Sequence, residues 1–278
     1  MRLLEWERID RRVLGAIRFL DAATELPVRR PLRIEAEGLR LIRNRAYDYV
    51  IHQAAGLEDH LDQFEAPPAA PTLGSVSVAL TVSDPSRYYL PQLISLVLPR
   101  DPDPANADNP DSLFQAVQVP LYPSSVVPVG GNWSVLRLSV SQPPVAPATE
   151  GEAIAGVLVR VVRQEDSQII ARGMSDTRGQ ALIIIPGIPV TNFNGGAGGD
   201  GDDEDAGLAT GPVVALDTPV SLEFIVAPEL PWPANPEALE ANVGEWQRTP
   251  TTPASLDFNL RTGQSESLAV IIDMTTVP

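Results

Sequence analysis

GVLVRVVRQEDSQIIARGMSDTRGQALIIIPG, residues 156–187, reads as three short strands separated by two polar turns. Val157, Val159 and Val161 alternate with Leu158, Arg160 and Val162, the period-2 pattern of a strand with one face more buried than the other. Gln164–Ser167 interrupts that run and Gln168–Met174 resumes it. Ser175-Asp176-Thr177-Arg178-Gly179 then breaks it again, with a glycine free to take positive φ, before the third strand, Ala181–Ile185.

Composition agrees with this reading. At 278 residues the chain has room for two domains, and its 44% hydrophobic content supplies real cores. Proline, 28 residues against 20 glycines, is excluded from helix interiors and central strands, so it punctuates many connections of an all-β chain. All 20 basic side chains are arginine. The net charge of −16 argues against general nucleic-acid binding, which needs cations to displace phosphate counterions. The charge is also uneven: residues 1–45 carry 11 arginines against 7 acidic residues, and the remainder carries 9 against 29. A basic edge on an acidic body reads either as a guide for head-to-tail contact between subunits or as a surface fluctuation. With no cysteine, disulfides and thiolate chemistry are excluded. No run reaches the roughly 18 apolar residues of a membrane span, and the charged N-terminus lacks a signal-peptide core. The expectation is a protein made in the cytoplasm and either retained there or released by lysis or a non-classical route, with no direct membrane insertion.

Outward from the opening stretch, the same punctuation repeats. Val13–Leu20, Leu32–Ala36, Leu39–Ile42 and Tyr47–Ile51 are predicted strands, and Leu57, Leu61 and Phe64 at i, i+4, i+7 predict a short helix. Ser75–Ser83 alternates cleanly, Asp84-Pro85-Ser86-Arg87 is a type I turn, and Leu93–Leu98 and Gln115–Val119 complete a first sandwich. Pro120, Pro123, Pro128, Gly130 and Gly131 mark a boundary. Beyond it come Ser134–Ser141, the opening block, and Val220–Val226. Asn235-Pro236-Glu237 then opens a helix with an N-cap, a proline at N1 and an acid in the first turn. Leu256–Leu260 and Leu268–Asp273 are the last strands. The predicted domains are an N-terminal arm (1–12), a first β-sandwich (13–120), a linker (121–133) and a second β-sandwich (134–278). The last contains an acidic Gly/Asp loop at 192–211. About seven strands and a short helix in each half suggest a duplication.

Candidate chemistry is sparse. Asp200, Asp202, Asp203 and Asp205 crowd one loop with Glu204 and are weak candidates as hard oxygen ligands for Ca²⁺; without EF-hand spacing the stretch reads as a solvated acidic loop rather than a cation site. His52 and His60 are the only histidines and read as surface residues rather than metal ligands. No G-x-S-x-G elbow, P-loop or dinucleotide fingerprint is present, so neither a catalytic set nor a cofactor is expected. Trp133 with Tyr88-Tyr89 reads either as a sugar-stacking platform or as core and rim packing. Trp6 and its neighbours Arg8, Arg11 and Arg12 in the N-terminal arm, and Tyr88 and Tyr89, are the interface candidates. Trp6 either caps the first sandwich or reaches a neighbouring subunit.

Two stretches carry a family resemblance. VLGAIRFLDAATELPV (13–28), with its D-x-x-T-x-x-P-V hairpin, and the 156–187 block resemble transthyretin-like sandwiches of the carboxypeptidase-regulatory-like kind. Where such sandwiches tend to have a glycine near Asp48, this chain carries Ala46-Tyr47-Asp48. DPSRYYLP (84–91) followed by LVLPRD (96–101) resembles regulatory-like sandwich proteins of phage-tail-like contractile injection particles. The resemblance implies two tandem transthyretin-like (Ig-like) β-sandwich domains with one or two short helices. It also implies a non-catalytic structural subunit (cap, baseplate or sheath-associated adaptor), contacting other subunits and self-associating. A carbohydrate- or peptide-binding module using a sandwich edge is the alternative.

Overall fold

A computed structural model describes residues 12–62, 68–130, 133–186, 217–253 and 255–275. Among the described residues the chain is all-β with three short α-helices, and it divides into two compact units. Unit 1 is residues 1–124 together with 226–246, and unit 2 is 125–225 together with 247–278.

Unit 1 contains β1 (Gly15–Asp21), β2 (Arg33–Ala36), β3 (Leu39–Arg43), β4 (Tyr49–Ala54), α1 (Glu58–Asp62), β5 (Val76–Ser83), β6 (Gln92–Leu98) and β7 (Val117–Leu121). One sheet has the order β3-β4-β1-β7 and the other β2-β5-β6. β1 pairs antiparallel with β4, bringing Ile17 opposite Tyr49, and parallel with β7, bringing Phe19 opposite Val119. Alternation decides which side chains meet: Ile17 and Phe19 from the first sheet join Leu80, Val82, Ile94 and Leu96 from the second in one core. Burying each such side chain contributes about 1.5–3 kcal/mol.

Unit 2 contains β8 (Ser134–Ser141), β9 (Leu158–Arg163), β10 (Ile169–Met174), β11 (Gln180–Ile185), β12 (Thr218–Ile225), β13 (Gln247–Arg248), β14 (Asp257–Leu260) and β15 (Ser265–Ile271). Its sheets are β11-β8-β15 and β10-β9-β12-β13, with β14 also on β12. Arg160 and Glu223, directly opposite on β9 and β12, form a cross-strand ion pair.

The units share a pairing pattern. β1·β4 matches β8·β11, the parallel β1·β7 matches β8·β15, β2·β5 matches β9·β12, and β5·β6 matches β12·β14. The third strand differs: β3 joins β4, whereas β10 joins β9.

Two boundaries differ from the sequence reading. The expected linker 121–133 is not a free connector at its start. Leu121 and Tyr122 are each 1% exposed, Ser124 donates to the Arg87 carbonyl at 2.7 Å within unit 1, and the division falls after Ser124. The expectation of two continuous tandem domains is also corrected, because Val226–Trp246 belongs to unit 1. This segment holds α2 (Pro236–Ala241) and α3 (Val243–Trp246), with Asn235 capping α2 as predicted. Its stem is closed by the Val226 N–H donating to the Trp246 carbonyl at 3.0 Å. Within unit 1 the Leu93 N–H of β6 donates to the Ala234 carbonyl, and Asn235 Nδ2 donates to Ser95 Oγ. A short amphipathic helix shows in sequence that it needs a core, but not which core.

The Ser175–Gly179 turn has a built-in constraint. Asp176 Oδ1 accepts from the N–H groups of Arg178 (2.9 Å) and Gln180 (3.0 Å), and Gly179 sits at φ +70°. A Cβ there would stand 2.2 Å from the Val140 carbonyl oxygen. Gly179→Ala is therefore expected to destabilise the protein by about 2–4 kcal/mol, through strain and steric overlap together. Gly244→Ala in α3, where a Cβ would meet nothing within 4 Å, is expected to stabilise by about 0.5–1 kcal/mol, chemical denaturation reading both.

Candidate interaction surface

Asp84 organises one end of unit 1. Its side chain is 1% exposed and accepts from the N–H groups of Ser86 (2.8 Å), Tyr88 (3.0 Å) and Tyr89 (3.3 Å), and from the Ser86 hydroxyl. The Arg87 N–H donates to the Asp84 carbonyl at 2.9 Å, closing the predicted turn, and Arg87 takes φ +58°. Burial pushes the Asp84 carboxyl up, but the hydrogen bonds from Ser86, Tyr88 and Tyr89 outweigh it and hold the group below the usual carboxylate range.

Arg30 completes this cluster from the β1–β2 connection. Its guanidinium lies 4.0 Å over the Tyr88 ring and 3.6 Å from Asp84, and Nη1 donates to Ser86 Oγ at 2.7 Å. Tyr89 is buried, with its hydroxyl donating to Asp21 Oδ2 at 2.7 Å. Burial, then the Asp21 hydrogen bond and charge, push the phenol far above its ordinary value, so it stays a donor. Of the two tyrosines nominated from sequence as interface anchors, only Tyr88 presents part of its ring at the surface. Tyr89 is an internal strut, a correction that follows from its 7% exposure.

Next to Arg30 in the chain, Arg29 leads to a second cation–aromatic cluster. Arg29 lies 5.9 Å from the centre of the Tyr47 ring and Arg43 lies 4.7 Å from it. Arg43 Nη2 donates to the backbone carbonyls of Arg29 and Arg30, which ties β3 to the β1–β2 connection. Tyr47 stands in the β3–β4 turn at φ +71° and is 37% exposed. The sequence flagged this turn because a glycine was expected near Asp48. The backbone explains why: the left-handed conformation costs a non-glycine residue about 1–2 kcal/mol. Asp48 anchors the turn. It accepts from Arg18 Nε (2.7 Å) and Nη2 (3.1 Å) and from Asn44, and these bonds, the Arg18 one foremost, hold its carboxyl low.

Sequence reasoning did not nominate Arg30, Arg43 or Tyr47. The only signal for them was the atypical turn, since stacking of residues 29, 30, 43 and 88 depends on long-range pairing.

The other nominated residues separate. Arg12 belongs to unit 1, where its Nη1 donates to the Leu61 carbonyl at 2.8 Å. Trp6, Arg8 and Arg11 lie outside the described residues, as do Asp200, Asp202, Asp203 and Asp205 with the rest of the 192–211 loop. Trp133 lies in unit 2 over Gly130, whereas Tyr88 and Tyr89 lie in unit 1. His52 is half-buried on β4. His60, read as a surface residue, is buried on α1 because that helix packs by Leu57 and Leu61 into the core. Among the described residues no group of three or more His, Asp or Glu side chains is placed to hold a metal ion, and no helix is long and apolar enough to cross a membrane.

Chemically, the arrangement is a set of guanidinium groups held against tyrosine rings at a surface, suited to recognising carboxylates and flat polar groups of a protein partner. No family model, curated protein or solved structure matches the chain.

The Asp84 turn is expected to show its charge in stability. A carboxylate held low stabilises the fold above its unfolded pKa of about 3.9, and that stabilisation is lost as pH falls through the folded value. Asp84→Asn should cost about 1–3 kcal/mol at pH 7. The gap to the native chain should close below about pH 4, as followed by thermal denaturation across pH.

Proposed function

We propose that the chain is a non-catalytic structural subunit of a phage-tail-like contractile injection particle. It acts through protein–protein contacts as a cap, baseplate or sheath-associated adaptor, assembled in the cytoplasm. The observation that carries this reading is the arginine–tyrosine surface of unit 1. Its cations sit on a chain of net charge −16, and its side chains are immobilised by stacking and by backbone carbonyls. Arginine and tyrosine held rigid at a surface make strong interface anchors because little side-chain entropy is lost on binding. The resemblance of residues 84–101 to sandwich proteins of such particles supplies the kind of assembly. The acidic remainder of the chain supplies a surface complementary to basic faces of other subunits of the particle.

A second reading, a β-sandwich module binding peptide or carbohydrate ligands, is favoured by one observation: β3 ends its sheet.

Co-expression with sheath, tube and baseplate proteins of such a particle tests the first reading. The chain is expected to sediment with the assembled particle, and Arg29→Glu, at an exposed arginine that forms no ion pair with a described residue, should release it while leaving its melting transition intact. Particles that assemble and contract normally without the chain, with the chain remaining a separate monomer, would overturn it.

A further inference from the structure

We propose that the outer edge of β3 captures an extended acidic segment of a partner chain as an added strand, anchored by Tyr47 and the arginines around it. The inference deepens the protein–protein reading above, on which it rests, by naming the chemistry of the partner. Four observations on unit 1 carry it.

β3 is the end strand of the β3-β4-β1-β7 sheet, and no described strand pairs with its outer side. Its backbone groups on that side are a template for main-chain hydrogen bonding. The strand also exposes an apolar side chain, Ile42, at 52%. Alternate residues of an added strand would meet such a side chain across the pair.

Charge selects the occupant. Arg29, Arg40 and Arg45 are exposed around this edge and form no ion pair with a described residue, and Arg43 stacks on Tyr47 beside them. Arginines along an edge repel a neutral or basic strand, which must desolvate them without return, and they admit one bearing carboxylates. The guanidinium groups offer bidentate pairing to those carboxylates.

Tyr47 distinguishes a used edge from a protected one. Its φ of +71° is a conformation in which glycine would be unstrained, yet the position holds a partly exposed aromatic ring flanked by Arg29 and Arg43. The ring does not fill the core of unit 1: Phe19 and Tyr49 do that, edge to face at 5.4 Å. A strained residue whose ring is not needed for packing points to a role in contact.

The test uses the purified full-length chain and a short fluorescent peptide of alternating valine and glutamate, read by fluorescence anisotropy. Saturable binding is expected, weakening as salt is raised. A peptide of the same sequence with every main-chain amide N-methylated cannot donate main-chain hydrogen bonds and should bind about tenfold or more weaker. Tyr47→Gly should raise the melting temperature and lower affinity by about tenfold or more, a combination that a purely structural role would not produce. Arg40→Glu should lower affinity without changing the melting temperature.

Equal binding of the N-methylated peptide would reduce the effect to charge alone and overturn the added strand. Unchanged affinity in Tyr47→Gly would overturn its anchor. If sedimentation shows copies of the chain associating through this edge, with Arg40→Glu separating them and the peptide failing to compete, the occupant is a second copy and the acidic-segment proposal is wrong. Loss of peptide binding with particle co-sedimentation intact sinks this inference alone. Peptide binding without co-sedimentation sinks the particle reading alone.

Discussion

Each unit depends on holding its first strand from both sides. β1 is bonded antiparallel to β4 and parallel to β7, and β8 is bonded antiparallel to β11 and parallel to β15. The last strand of a unit must therefore return beside the first, and everything between must fold into the space those two define. In unit 1 this fixes Ile17 and Phe19 at the centre of the core, with Val119 and Leu121 beside them. The pairings are far apart in sequence, so their loop-closure entropy is met late, and the alternating pattern of each strand must be correct before the closure is rewarded.

Four matching pairings make the units variations on one plan, and the third strand is where they diverge. In unit 2, β10 lies beside β9 and approaches β11 closely enough that a Cβ on Gly173 would stand 2.5 Å from Ile183 Cγ1. That contact needs a glycine. In unit 1, β3 leaves the sheet of β2 and joins β4, with a register shift between Arg40 and Leu41, so an arginine-bearing strand becomes the end of its sheet. The candidate surface is thus a product of the strand switch: it brings Arg43 beside the β1–β2 connection, where its guanidinium reaches the carbonyls of Arg29 and Arg30.

Strand positions were legible in the sequence because burial in a sheet follows a period of two. Ser75–Ser83 alternates Val76, Val78, Leu80 and Val82 with Ser, Ala and Thr, and β5 buries Leu80 and Val82 and half-buries the other two. The helix start at Asn235 was legible because capping is local, and Asn235 Oδ1 accepts from the Glu237 and Ala238 N–H groups. The assignment of that helix to unit 1 was not, because a short apolar face looks the same whichever core receives it. The candidate surface was half legible. Tyr88 stood out as an aromatic after a turn, and residue 47 stood out as a missing glycine. Arg30 and Arg43 looked like any other members of an arginine-rich segment until pairing placed them on the tyrosines.

An all-β protein must either cover its sheet edges or use them. The outer side of β6 receives the Ala234 carbonyl from the 226–246 insertion, and the end of β15 exchanges hydrogen bonds with Thr251 and Thr252. Those edges are covered by the chain itself. β3 is treated differently, with charge along its length and a ring at its turn. Charge alone is enough to keep an edge from pairing indiscriminately, and Arg40 and Arg45 supply it without strain. A left-handed, partly exposed tyrosine adds nothing to that protection and carries backbone strain that a glycine at the same φ would not. What the ring adds is flat contact area held against two guanidinium groups, the feature the proposed added strand would use.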